Sequence, residues 1–237
     1  MTVAISRCSS WSFRKKVNTL LLFSLVACYF VDTAEGHGYL KSPRSRNWYA
    51  ASGGGPDGTP VPPTEYCPHC LNSKTEDQVC ATGTQNYDLW EDVNGNPMPW
   101  TAQGTYTEGQ EIIIETFLST NHAGHIDVYV CPDGDQSTHD CFLNNPATFI
   151  EDMLYGGPVD SYYPERAYVS PAAEHKFKYR LPMGIYGPNV MLQWRYVTAN
   201  SCFPPGYVSK ILFVCFPKMS QLFSDLINFF MIIVGTI

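Results

Sequence analysis

The chain has 237 residues, enough for one large domain or two small ones. Its composition is 44% hydrophobic, 14% aromatic and only 16% charged, which excludes a disordered or coiled-coil chain and provides for a real core. A formal net charge of −7 argues against nucleic acid and anionic membrane surfaces as partners, and puts no electrostatic obstacle before a neutral one.

The first 36 residues read as a signal peptide. Arg7, Arg14, Lys15 and Lys16 form a basic opening, and an apolar run follows over residues 17–30. Thr33-Ala34-Glu35-Gly36 then puts small residues at the −3 and −1 positions for cleavage before His37. As a membrane anchor the apolar run is short of the roughly 20 residues a bilayer crossing needs, so a secreted, extracellular chain is expected. Cleavage would remove four basic residues and two acidic ones (Asp32 and Glu35). It would leave 11 Lys+Arg against 20 Asp+Glu, a net −9.

Residues 37–66 read mostly as loop, with Gly53-Gly54-Gly55-Pro56-Asp57-Gly58 and Pro62-Pro63. Residues 67–100 are also irregular, with a turn at Asn94-Gly95-Asn96-Pro97. Strand signals begin at residues 111–118. Ile126, Val128 and Val130 then alternate with Asp127 and Tyr129, as in a half-buried strand. Residues 176–181 alternate as well, and 190–197 form the strongest late strand. With 18 Gly, 18 Pro and no convincing four-turn helix before residue 219, the chain reads as an all-β sandwich with long functional loops. From Ser209 onward it turns apolar, consistent with a final buried strand or a hydrophobic anchor. Pro217, Lys218 and Asp225 interrupt that stretch and disfavour a membrane span.

Seven cysteines follow the expected cleavage site: Cys67, Cys70, Cys80, Cys131, Cys141, Cys202 and Cys215. An oxidising compartment would pair them, and the odd number leaves one over. Cys131 and Cys141 flank a short Asp/Gly-rich loop and are the expected pair. Cys67-x-x-Cys70 with His69 and Cys80 also has the look of a zinc site, but secretion favours disulfides. Gly53-Gly54-Gly55 lacks the strand and helix of a phosphate loop, and no Ser-His-Asp order or paired carboxylates point to a hydrolase. Trp48, Tyr49, Tyr66 and Trp90 sit in loops, as sugar-stacking rings or core anchors.

His37 would become the first residue of the cleaved chain. An α-amine (reference pKa about 7.7–8.0) and an imidazole (about 6.5) on one residue can chelate a single metal near neutrality. A second imidazole completes three nitrogens in a plane, a set that suits Cu(II). His122, in Thr120-Asn121-His122-Ala123-Gly124 just before a strand, is the candidate. His125 lies three residues on and falls on the opposite face of an extended segment. His139 and His175 lie in polar stretches and read as surface residues. From residue types alone a second reading stands beside this one: His37 as an accident of cleavage and His122 as a satisfied loop histidine.

His37-Gly38-Tyr39-Leu40 resembles the start of a mature lytic polysaccharide monooxygenase. Ser42-Pro43-Arg44-Ser45-Arg46-Asn47, Glu65-Tyr66-Cys67-Pro68-His69-Cys70, Asn121-His122-Ala123-Gly124-His125 and Leu192-Gln193-Trp194-Arg195-Tyr196 resemble further parts of it in order. The nearest group is auxiliary activity family fifteen, also labelled chitin-binding type-4, over residues 37–208. The resemblance implies an immunoglobulin-like β-sandwich with a flat copper-bearing face. It implies one copper per chain, held by His37 and His122 as a histidine brace, with Gln193 or Arg195 behind the site. The implied activity is oxidative cleavage of glycosidic bonds in insoluble chitin or cellulose, using an external electron donor and dioxygen or hydrogen peroxide. The family's closing strand, with its axial Tyr or Phe, has no counterpart here. Residues 209–237 read as unrelated sequence, Phe203 and Tyr207 do not match the motif, and no axial ligand is assigned. That departure favours two alternatives: a non-catalytic chitin- or cellulose-binding protein, or a truncated, inactive form of the enzyme.

Overall fold

The computed structural model describes residues 37–53, 79–82, 85–132, 134, 137–199, 206–207 and 227–235, all within the compact unit Glu35–Ile237. The expected signal peptide, the motif at residues 65–70, Cys202, Phe203, Cys215 and the start of the tail lie outside the described residues. In chain order the elements are β1 (His37–Ser42), α1 (Arg46–Ala51), β2 (Ala81–Thr82), β3 (Gln85–Asn86), β4 (Glu111–Thr120), β5 (His125–Cys131), α2 (His139–Leu143), β6 (Thr148–Asp152), β7 (Ala167–Tyr168), β8 (Glu174–Arg180), β9 (Asn189–Val197) and β10 (Ile227–Gly235).

Two four-stranded antiparallel sheets, ordered β1-β4-β8-β6 and β10-β9-β5-β7, make an all-β sandwich; β2 and β3 form a small separate hairpin. Strands β4 and β8 of the first sheet alternate strictly. Ile112, Ile114, Thr116 and Leu118 of β4 and His175, Phe177 and Tyr179 of β8 are buried, while the residues between them are half-buried or exposed. In the second sheet, Ile126, Val128 and Val130 of β5 sit opposite Tyr196, Trp194 and Leu192 of β9, all buried. The Tyr179 hydroxyl donates to the Ile126 carbonyl (2.7 Å) and so ties one sheet to the other.

Four expectations change. Residues 37–51 are not loop: β1 pairs with β4, and α1 packs Arg46, Asn47, Tyr49 and Ala50 inside. The sequence hides β1 because its partner is about 80 residues away. Gly38 serves that pairing, since a Cβ there would meet the Phe117 carbonyl at 2.7 Å. The β5 strand is buried on both faces rather than one, because loop residues cover its Asp127–Tyr129 side. Strand β6 had no signal of its own; it adds to β8 at the edge of the first sheet.

His175 is the fourth correction. It is 1% exposed, not a surface residue, because β8 begins at Glu174 and the two-residue period puts His175 in line with Phe177 and Tyr179. Its Nε2–H donates to the Ser170 carbonyl (3.0 Å), and its ring stacks on Phe177. Burial lowers its pKa; the Ser170 contact and the Asp152 and Glu174 charges oppose that shift without overcoming it. A histidine with a depressed folded pKa stabilises the fold above its unfolded value of about 6.5, and that contribution is lost as pH falls toward the folded value. The unfolding free energy of the wild type should therefore drop on acidification from pH 7 to 5 by up to about 1.4 kcal/mol per pH unit more than that of a His175→Phe variant. Parallel denaturant titrations check this, and identical pH slopes would refute it.

On the outer side of the first sheet, four ion pairs cross between strands: Lys41–Glu174 (3.0 Å), Lys176–Glu115 (2.8 Å), Lys178–Glu151 (2.7 Å) and Arg180–Glu111 (2.7 Å). Cys131, at the end of β5, is disulfide-bonded to Cys141 in α2. The α2 helix is capped by Thr138, whose hydroxyl oxygen accepts from the Cys141 N–H. In the tail, the backbone of β10 pairs with all of β9, from Ile227 opposite Val197 to Gly235 opposite Asn189.

Candidate functional site

The register of β1 against β4 brings the candidate histidines to one end of the first sheet. His37 opens β1 opposite Thr120, the last residue of β4, and His122 follows two residues later. The register shifts between His37 and Gly38, an irregularity of the kind that re-aims a terminal side chain. Both histidines are half-buried, so each has a protein-facing and a solvent-facing side.

His122 sits on a turn with almost no freedom. The His122 N–H donates to the Tyr196 hydroxyl (2.8 Å), and that hydroxyl donates to the Ala123 carbonyl (2.8 Å). The Ala199 N–H donates to the His122 carbonyl (3.1 Å). The Ala123 N–H donates to Asn121 Oδ1 (2.9 Å), while Asn121 Nδ2 donates to the Ser170 and Ala172 carbonyls (2.8 and 2.6 Å). Ala123 is left-handed (φ 55°), a conformation costing about 1–2 kcal/mol for a residue with a Cβ. Gly124 (φ 98°) follows, and a Cβ there would lie on the Val197 carbonyl. Burial pushes the Tyr196 phenol up to about 12, so the hydroxyl keeps the proton it donates.

His125 belongs to a different group. It is 2% exposed, its Nδ1 is 2.8 Å from the Tyr207 hydroxyl, and its Nε2 is 3.5 Å from Asp127 Oδ1. The Tyr129 hydroxyl donates to the other Asp127 oxygen (3.2 Å). Burial raises the Tyr207 and Tyr129 phenols far above their usual value, with Tyr168 and Asp127 respectively adding to it. Gln193 and Arg195 share this outer face of β9, on the opposite side from Tyr196. Gln193 Nε2 donates to the Val79 carbonyl (3.3 Å). The β9 side chain that reaches the His122 turn is thus Tyr196, which sequence reasoning passed over. The available signal was its place in line with Trp194 on a buried face, where a tyrosine hydroxyl needs a partner.

The loop aromatics are engaged with their neighbours. Trp48 stacks on Tyr39 (4.2 Å, 12°), and Tyr49 meets Trp90 edge to face (5.5 Å). Arg44 lies over Tyr49 (4.3 Å) and Arg46 over Trp90 (5.1 Å). Cys80 is fully buried, and Cys67, His69 and Cys70 lie outside the described residues. His139 opens α2, half-buried. Among the described residues no three His, Cys, Asp or Glu side chains come together as a metal site. The two imidazoles at the sheet end are the candidate donors, a set that would suit copper and would reach three nitrogens with an α-amine on His37.

Fold and site together define an immunoglobulin-like β-sandwich with a histidine pair at one end of a sheet. Residues 37–205 match the family described as lytic polysaccharide mono-oxygenase, cellulose-degrading, and the chain belongs to that family. Among solved structures it is similar to a lytic polysaccharide monooxygenase AA15 from Thermobia domestica in the Cu(I) state. The TM-score is 0.55 and the identity 17%, over 84% of this chain and 98% of that one, a likeness of fold. A copper complex of the cellulose-active monooxygenase CelS2 aligns over the same shares at TM-score 0.38 and 14% identity, too distant to bear on the site. No curated protein matches.

Proposed function

We propose that the chain is secreted, is cleaved before His37, and then acts as a copper-dependent monooxygenase that breaks glycosidic bonds in chitin or cellulose. The observation that carries this reading is the register that sets His37 beside the end of β4, two residues from His122. The family match supports it by starting at His37, and so does the basic-then-apolar leader ending in Ala34-Glu35-Gly36. Among the described residues no helix is long and apolar enough to cross a membrane.

In this reading the α-amine and imidazole of His37 and the imidazole of His122 hold the metal. When bound, copper supplies one-electron chemistry that, with an external electron donor and dioxygen or hydrogen peroxide, removes hydrogen from a glycosidic C–H. The protein's own part is to hold His122 on a pre-set turn and to set His37 beside it at the end of the sheet.

The test is to express the full chain in a secreting host. Mass spectrometry should find His37 at the N-terminus, metal analysis one copper per chain, and incubation with chitin or cellulose plus ascorbate should release oxidised oligosaccharides. A secreted, copper-loaded chain that retains the polysaccharide on pull-down but releases no oxidised product would instead establish the binding-protein reading. That second reading is favoured by the tail from Ser209, where the family's axial aromatic has no counterpart.

A further inference from the structure

We propose that Tyr196 is a positioning residue for His122, its buried hydroxyl fixing the main chain that carries the imidazole. The inference rests on the copper reading above and deepens it. The hydroxyl bridges two successive residues, accepting from the His122 N–H and donating to the Ala123 carbonyl, both at 2.8 Å. Ala199 engages the His122 carbonyl and Asn121 engages the Ala123 N–H, so all four main-chain polar groups of this dipeptide have partners. The partners come from β9, from Ala199 just after it, and from Asn121, which is anchored on Ser170 and Ala172. A tyrosine serving packing alone needs one partner for its hydroxyl. This one makes two bonds, both to the turn holding His122, and the turn includes a left-handed alanine that such bonds must hold in place.

Removing one oxygen isolates the role. Tyr196→Phe keeps the ring in the core and leaves the His122 N–H and Ala123 carbonyl without that partner. The processed wild type, Tyr196→Phe and a control, Trp194→Phe on the same face of β9, should be compared by Cu(II) titration, by electron paramagnetic resonance of the copper-loaded forms, and by hydrogen exchange of the His122 amide without metal. Groups that orient a metal ligand from behind are worth about 10–100-fold in affinity. Tyr196→Phe should therefore weaken Cu(II) binding by about that factor, shift or broaden the copper spectrum, and speed exchange of the His122 amide. Trp194→Phe should lower the melting temperature and leave all three unchanged. A wild-type spectrum, affinity and exchange rate in Tyr196→Phe would overturn the proposal. Should that variant fail to fold, hydrogen exchange of the wild type decides: a His122 amide exchanging as fast as an unprotected one would show that the Tyr196 hydroxyl does not hold it, and would overturn the proposal equally. If the wild type itself binds no Cu(II), the copper reading falls, and amide exchange still decides whether Tyr196 fixes the turn.

Discussion

Replacing His122 with alanine, or leaving one extra residue ahead of His37, should each lower Cu(II) affinity of the processed chain by more than about 100-fold. The first change removes an imidazole. The second turns the α-amine into an amide nitrogen, which has no basic lone pair to offer, and opens the chelate ring at His37. The size of the loss follows from what surrounds the pair: among the described residues no third His, Cys, Asp or Glu joins a metal cluster to compensate. Even partners that only orient a ligand account for 10–100-fold, so loss of a direct nitrogen should exceed that. Competition titration against a chelator of known strength measures it. Unchanged affinity in both variants would place the metal elsewhere and end the brace reading.

The largest stability effect should come from Trp194→Ala. Trp194 is fully buried at the centre of β9, opposite Val128, with a ring contact to Tyr196 (6.2 Å). Deleting a buried Trp side chain costs about 3–5 kcal/mol through lost transfer free energy and the cavity left behind. Domains of this size lose about 2–4 °C per kcal/mol, so the melting temperature should fall by roughly 10 °C or more. A calorimetric shift of only about 2 °C would mean that the sheets do not pack through this side chain. The variant also separates stability from site chemistry, since it leaves in place Tyr196, whose hydroxyl makes two bonds to the His122 turn.

The strands most legible in the sequence were those whose alternation is local. The β4 and β9 strands were read nearly to their ends, because Ile112, Ile114, Val190, Leu192 and Trp194 recur at the period of a pleated strand. Strand β1 was not legible: Gly38 weakens its signal, and the reason for its conformation is a partner some 80 residues away. His175 was misplaced by starting β8 two residues late, an error that turns a core histidine into a surface one. The Cys131–Cys141 bond was legible from the short loop it closes. At the site, residue types alone left the His37–His122 pairing open, and only the ordered motifs favoured it. The Tyr196 clamp was out of reach because its bonds span 74 and 73 residues and depend on where β9 ends relative to β4. Contacts of that kind follow from the assembled sandwich and leave no periodicity in the chain.

The ladder of ion pairs on the first sheet has a consequence for the molecule as a charged object. Lys41, Lys176, Lys178 and Arg180 are matched one to one by Glu174, Glu115, Glu151 and Glu111, so this flank sums to zero. Removing those eight residues from the 11 and 20 of the chain cleaved before His37 leaves 7 cations against 16 anions, so its whole excess of −9 resides outside the ladder. This flank is therefore electrically near silent, and the excess acid lies elsewhere in the chain. Beyond a Debye length of about 8 Å at physiological salt even that excess fades. Near an anionic surface the silent flank is the side repelled least, and an uncharged crystalline surface exerts no such orienting torque.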